Sequence, residues 1–131
     1  MEINIFVLPF LQIIIAFGLI NVWILRFSMA TKYRGAGAKN MQEEFSAYGL
    51  PVWFMYIVGF LKLAISLVMI LGLFSANILA LFGLPALAIL AILMLGAIGM
   101  HIKVRDSFVK SIPAILMLSM TVLGLYLSGN F

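Results

Sequence analysis

Apolar residues fill four long stretches of the chain with few polar interruptions: Asn4–Leu25, Pro51–Leu73, Ile78–Met100 and Ile112–Leu127. An α-helix rises about 1.5 Å per residue, and a bilayer's hydrocarbon core is about 30 Å thick, so about 20 such residues make one crossing. Each stretch therefore predicts a transmembrane helix. The fourth is the shortest, so it either tilts least or starts earlier in the preceding loop. The expected fold is all-α, a polytopic membrane bundle of four transmembrane helices. Residues 1–131 form a single domain. The first stretch does not read as a signal peptide. Glu2 precedes it, and the basic residues follow it instead of leading it.

The polar positions between the stretches carry their own pattern. Lys32–Gly37 reads as a flexible basic turn. Asn40 is placed to cap a short helix running to Tyr48, with Glu43 and Glu44 in its first turn. Phe45 and Tyr48, three residues apart, are expected to rest on the membrane surface. Gly49-Leu50-Pro51 ends that helix and opens the second crossing, and Pro113 opens the fourth. Trp23, Trp53 and Tyr56 fit an aromatic belt at one interface.

Composition agrees with the membrane class. The chain is 66% hydrophobic and 9% charged, far from a soluble domain. It has no cysteine. That excludes disulfides, thiol redox catalysis, Cys-ligated zinc, iron–sulfur ligation and covalent haem by this chain alone. The formal charge of +4 does not point to nucleic acid, because the cations cluster beside the apolar stretches. The lipid bilayer is the partner they imply.

The charge distribution sets a topology. Arg26, Lys32, Arg34 and Lys39 lie between the first and second stretches, and Lys103, Arg105 and Lys110 between the third and fourth. Seven of the eight basic residues thus fall in two alternate loops. The positive-inside rule places both loops in the cytoplasm and the N and C termini outside.

The eighth basic residue is Lys62. Eleven residues flank it on either side within Pro51–Leu73, which puts it roughly 16 Å from each end. A lysine at a helix centre costs about 2.5–3.5 kcal/mol or more on insertion. It is too deep to snorkel completely. Gly59, Lys62, Ser66 and Met69 form a stripe on its helix, and Ser66 could accept its hydrogen bond. Gln12, near mid-depth on the first stretch, is its expected neutral partner, while Asn21 lies nearer the cytoplasmic end. Gln12 and Asn21 fall on opposite faces of an ideal helix, so they should meet different neighbours, a second subunit among the candidates. Gly96, Ala97 and Gly99 form a small surface suited to close helix packing, next to His101. No Asp or Glu lies within any of the four stretches. Lys62, Gln12, Ser66, Asn21 and His101 are therefore the candidate ligand-binding residues, with no set of metal ligands among them.

Several segments together resemble a known family. Phe27-Ser28-Met29-Ala30-Thr31-Lys32 follows the first stretch, and Tyr48-Gly49-Leu50-Pro51 opens the second. Val58-Gly59-Phe60-Leu61-Lys62-Leu63-Ala64 and Leu95-Gly96-Ala97-Ile98-Gly99-Met100-His101 come next, then a proline opens the fourth. In order and spacing these segments resemble the DoxX-like family of small four-helix bacterial membrane proteins, over nearly the whole chain. The resemblance implies a multi-pass protein of the bacterial inner membrane. A named member of the family is a small subunit of a thiosulfate:quinone oxidoreductase, and others are associated with membrane redox or oxidative-stress assemblies. Quinone and a redox partner protein are the cofactor and partner it implies. Many relatives carry glutamate where this chain has Lys62, so a role resting on a membrane carboxylate does not transfer.

Three functions follow. A quinone-linked redox subunit would use Lys62 to bind a quinone oxygen. It would draw electrons from a partner, since the chain has no redox centre of its own. A small transporter or anion pathway would use Lys62 as its charged group. A non-catalytic scaffold would use its surfaces alone, against a larger complex or a second copy of the chain.

Overall fold

The computed structural model describes residues 2–129. Five α-helices account for most of them: α1 (Glu2–Ile20), α2 (Met41–Ala47), α3 (Val52–Gly72), α4 (Ala76–Lys103) and α5 (Phe108–Gly129). No strand occurs among the described residues. Four helices are long and apolar enough to cross a membrane: Ile5–Leu25, Val52–Gly72, Ala76–Lys103 and Phe108–Ser128. They form a ring in which α1 contacts α3 and α5, and α4 contacts α3 and α5.

The core runs through all four. Ile15 and Ala16 of α1, Met69 of α3, Leu87 and Leu90 of α4 and Leu127 of α5 meet in one apolar cluster. The outward faces stay apolar as well. Phe6, Phe10 and Phe17 on α1, Phe60 and Leu67 on α3 and Ile92 on α4 are exposed. Such a surface suits hydrocarbon.

The helix ends differ from the expected stretches on the side of the two basic loops. The helix α4 runs on to Lys103, and α5 begins at Phe108, so Pro113 sits inside α5 and does not open it. The added turns hold His101, Lys103 and Lys110, which hydropathy assigns to loops. Their polar groups are satisfied locally. Lys103 Nζ donates to Tyr48 O at 2.7 Å, and Lys110 Nζ donates to Arg34 O at 2.8 Å. Cations in the last turn of α4 also complement the helix dipole.

The connection after α1 folds into a series of hydrogen-bonded turns. The end of α1 passes into a π-helical turn, Asn21–Leu25, with backbone N–H of Arg26 on the carbonyl of Asn21. Asn40 caps α2 as expected, its Oδ1 accepting from Glu43 N at 2.8 Å. A Schellman turn ends α2. Leu50 N donates to Phe45 O, Gly49 N donates to Ser46 O, and Gly49 takes φ +79, which a side chain would resist. Phe45 and Tyr48 do not lie on the membrane surface. Both are buried, because α2 packs inward against Trp23, Met55 and Val58. Trp23 likewise leaves the aromatic belt for this cluster, whereas Trp53 and Tyr56 stay exposed.

The same turn closes α4, with Asp106 N on His101 O and Arg105 N on Ile102 O. Here the left-handed position is Arg105, at φ +58. Left-handed backbone costs a non-glycine residue about 1 kcal/mol. Arg105→Gly is therefore expected to raise the detergent melting temperature slightly. A clear fall would mean that the exposed Arg105 side chain outweighs this strain.

Candidate functional site

A cavity of about 360 Å³ opens beneath the folded loop at the basic-loop end of the bundle. Its volume falls within the usual range for small-molecule sites, about 300–1,000 Å³. The π-helical turn brings Asn21, Val22 and Trp23 to its wall, α3 brings Lys62, and α4 brings Met94, Ala97 and His101. The end of α1, Glu44 of α2, α5 and the loop supply the rest, including Leu19, Lys110, Met117, Arg26 and Arg34. One end is therefore charged, with cations in excess of the one carboxylate, and the other apolar.

Lys62 lies at the middle of α3, yet Trp23, near the end of the first crossing, faces it. Its Nζ stands 5.2 Å from the Trp23 ring centroid. That ring also covers Gly59, where an added Cβ would come within 2.8 Å of Trp23 Cε3 and Cζ3. Long side chains on a helix lean toward its N-terminus. For α3 that is the loop side, so the ammonium leans toward the cavity and away from the apolar core. Lys62 makes no ion pair among the described residues; its contact is the cation–π pair, whose electrostatic gain grows when both partners are desolvated.

The expected Gln12–Lys62 pair is not formed. Gln12 Nε2 donates to the Met69 carbonyl at 3.1 Å, two turns deeper in the bundle. Ser66 also turns from the amine, its hydroxyl donating to the Lys62 carbonyl at 3.0 Å. The antiparallel register of α1 and α3 explains the first displacement. Trp23 meets Gly59, so Gln12 must meet residues near Met69 and Gly72. The fold thus gathers Lys62, Asn21 and His101 around one cavity and leaves Gln12 and Ser66 outside its lining.

Arg34 is the polar centre of the cap, although the charge pattern reads it as a topology signal. It is 5% exposed. Its Nε donates to Met29 O at 3.0 Å, and its terminal nitrogens donate to the carbonyls of Arg26 and Phe27. It also pairs with Glu44 Oε1 at 3.5 Å. Glu44 accepts a second bond from the backbone N–H of Gly35. One guanidinium thus closes the chain from Arg26 to Glu44 over the cavity. No sequence signal separates Arg34 from its basic neighbours, since burial here depends on the loop's path.

Asp106 joins this cap to α4. Its Oδ2 lies 2.7 Å from His101 Nδ1, and its Oδ1 accepts from Ala36 N at 2.9 Å. Lys110 Nζ stands 3.9 Å away. Burial alone would raise the carboxyl, but the bonds from His101 and Ala36 and the charge of Lys110 hold it below its ordinary value. Tyr48 lies edge-on to the His101 ring, centroids 6.1 Å apart. Burial and the carboxylates of Glu44 and Asp106 push its phenol well up, so it stays protonated. Asp106 and Tyr48 were absent from the sequence candidates. The spacing His101-x-x-x-x-Asp106 became meaningful only when the Schellman turn folded the aspartate back.

Small residues divide into two groups. Gly59 is a close-contact site, though for a ring and not a backbone. Gly96 and Gly99 are exposed, with nothing within 4 Å of an added Cβ. They do not form the helix contact expected of them within this chain. Gly59→Leu is expected to cost about 1–3 kcal/mol by overpacking, and Gly96→Leu close to nothing in the isolated chain. Melting curves in detergent decide this; equal curves for wild type and Gly59→Leu would show that Trp23 yields freely.

No group of three or more His, Cys, Asp or Glu side chains among the described residues could hold a metal ion. Comparison with curated proteins and with solved structures gave no match. The model of the DoxX-like family matches residues 19–123, which span the π-helical turn, the cap, Lys62, His101 and most of α5. That match covers far more than half of the sequence, and the chain belongs to the DoxX-like family.

Proposed function

We propose that this chain is the membrane subunit of a quinone-linked redox or oxidative-stress assembly of the bacterial inner membrane. The observation that carries the reading is Lys62, a cation that makes no ion pair among the described residues, on the wall of a ligand-sized cavity. The walls fit a quinone head group. Lys62 and Asn21 supply donors for ring oxygens, while Leu19, Met94, Ala114 and Met117 supply apolar contact. A bound quinone would supply two-electron, two-proton redox chemistry, with electrons exchanged through a partner protein. The chain's own part is to bind, orient and exclude water. The ammonium also favours negative charge on an adjacent oxygen.

The packing below the cavity argues against the anion pathway. Ile15, Ala16, Met69, Leu87 and Leu90 close the bundle's centre with almost no exposure. An ion leaving the cavity toward the other face would meet this apolar plug.

The direct test is extraction. Protein purified in mild detergent should release a quinone detectable by mass spectrometry. Repeated preparations with no bound lipophilic small molecule, and no binding of added short-chain quinone, would overturn the reading.

Orientation belongs to the same proposal. The cap should face the cytoplasm, with both termini outside, because seven basic residues lie on its side of the bundle. Cysteines placed at the exposed Ala36 and Asn77 report opposite faces. An impermeant thiol reagent applied to intact cells should label Asn77→Cys and spare Ala36→Cys. The reverse pattern would invert the topology.

A further inference from the structure

We propose that His101, held by Asp106, is the proton-exchanging group of the cavity: Nε2 takes a proton from an oxygen acid bound against Lys62 and returns it. The inference rests on the reading of the cavity as a site for a quinone or similar two-oxygen ligand.

Three observations support it. His101 is buried and lines the cavity. Its Nδ1 is engaged by Asp106 Oδ2 at 2.7 Å. No hydrogen bond to Nε2 occurs among the described residues, so Nε2 is the ring atom left for a ligand. Asp106 is itself fixed, by Ala36 N–H and by the Schellman turn that returns its backbone to His101. An ionised carboxylate on Nδ1 selects the tautomer with Nδ1–H and a free Nε2 lone pair, and it stabilises the ring once charged.

The other groups facing the imidazole are occupied or of the wrong kind. Tyr48, from the end of α2, keeps its proton because burial and two carboxylates oppose its loss. Glu44 of α2 is spent on Arg34 and Gly35 N–H. From α5, Lys110 donates to Arg34 O and lies beside Asp106. Lys103, on α4 itself, donates to Tyr48 O. Across the cavity Lys62 is a donor, suited to the oxygen that develops charge. His101 is the remaining side chain able to accept a proton.

The step is a proton transfer. The ligand's O–H bond breaks, its electron pair stays on oxygen near Lys62, and an N–H bond forms at Nε2. Nδ1–H remains on Asp106. The charged ring then releases its proton toward the cytoplasmic side, and no electron moves in this step.

His101 is the only histidine, so isotope-labelled histidine gives a single imidazole in nitrogen NMR of the whole chain in lipid. The wild type without ligand should show the Nδ1–H tautomer. The probe is lawsone, a coloured hydroxynaphthoquinone that is already an anion at neutral pH; the proton that the ring gains beside it comes from solvent, so the complex reports the product side of the transfer, imidazolium beside a ligand oxyanion. Adding it should convert the signals to those of the imidazolium at a pH where the free chain shows the neutral ring. Asp106→Asn should still bind lawsone, read by its visible absorbance, but should lose the tautomer preference and the conversion. If Asp106→Asn does not fold, the two wild-type spectra still decide. An Nε2–H tautomer in the wild type overturns the proposal. So does bound lawsone with an unchanged histidine signal, which leaves the quinone reading standing. Failure of lawsone and short-chain quinones to bind, with the Nδ1–H tautomer present, removes the quinone reading and the proton transfer with it.

Discussion

Lys62→Met should abolish retention of the cavity's ligand while leaving the fold intact. The structural cost of the change is small. The ammonium makes no ion pair among the described residues, and its cation–π contact with Trp23 at 5.2 Å is worth about 0.5–2 kcal/mol. Methionine has nearly the same length and places an apolar chain against the same ring. Replacing a buried charge by an apolar side chain is often neutral or stabilising. The melting temperature should therefore hold or rise. Ligand retention should fall below detection, because the remaining lining would lack its strongest cationic donor in the apolar part of the cavity. The variant must be compared with wild type by mass spectrometry of extracted small molecules and by complementation of a deletion strain. Equal ligand content and full complementation would leave Lys62 without a ligand role.

Arg34→Met should be the most damaging single change to stability. The guanidinium satisfies the carbonyls of Arg26, Phe27 and Met29 and pairs with Glu44, all within a nearly closed layer. Its removal leaves Glu44 a poorly exposed charge without its partner. Breaking a buried pair in this way costs about 3–5 kcal/mol. Arg34→Lys keeps the charge but cannot fork across three carbonyls and a carboxylate, so it should recover only part of the loss. Lower melting temperatures for both variants, with new protease cleavage between Arg26 and Asn40, are expected. Curves that overlay the wild type would show that the cap holds without Arg34. Lys62 on the same cavity differs: it makes no ion pair among the described residues, and its contact is the Trp23 ring.

Much of this architecture is legible in the residues themselves. Hydrocarbon admits only backbone that satisfies its own hydrogen bonds, so four apolar stretches of crossing length can be little other than helices. The Asn40 cap and the Gly49 stop are also local, since each depends on a side chain or a φ angle within a few residues. Lys62 stands out for the same kind of reason: its cost is set by its place in one helix. The partners were not local. Gln12 and Lys62 sit at plausible matching depths along their own helices, yet the register set by Trp23 on Gly59 moves them two turns apart. The helix α4 is apolar all round, so its pattern names no inward face, and Gly96 and Gly99 turn outward. Arg34 and Arg26 read alike as cytoplasmic charges, and only the path of the folded loop buries one and leaves the other exposed. His101 and Asp106 become a pair when a turn brings residues five apart to 2.7 Å. Backbone satisfaction in lipid fixed the four crossings from sequence; side-chain register and the fold of the cap, which depend on distant residues, decided the cavity.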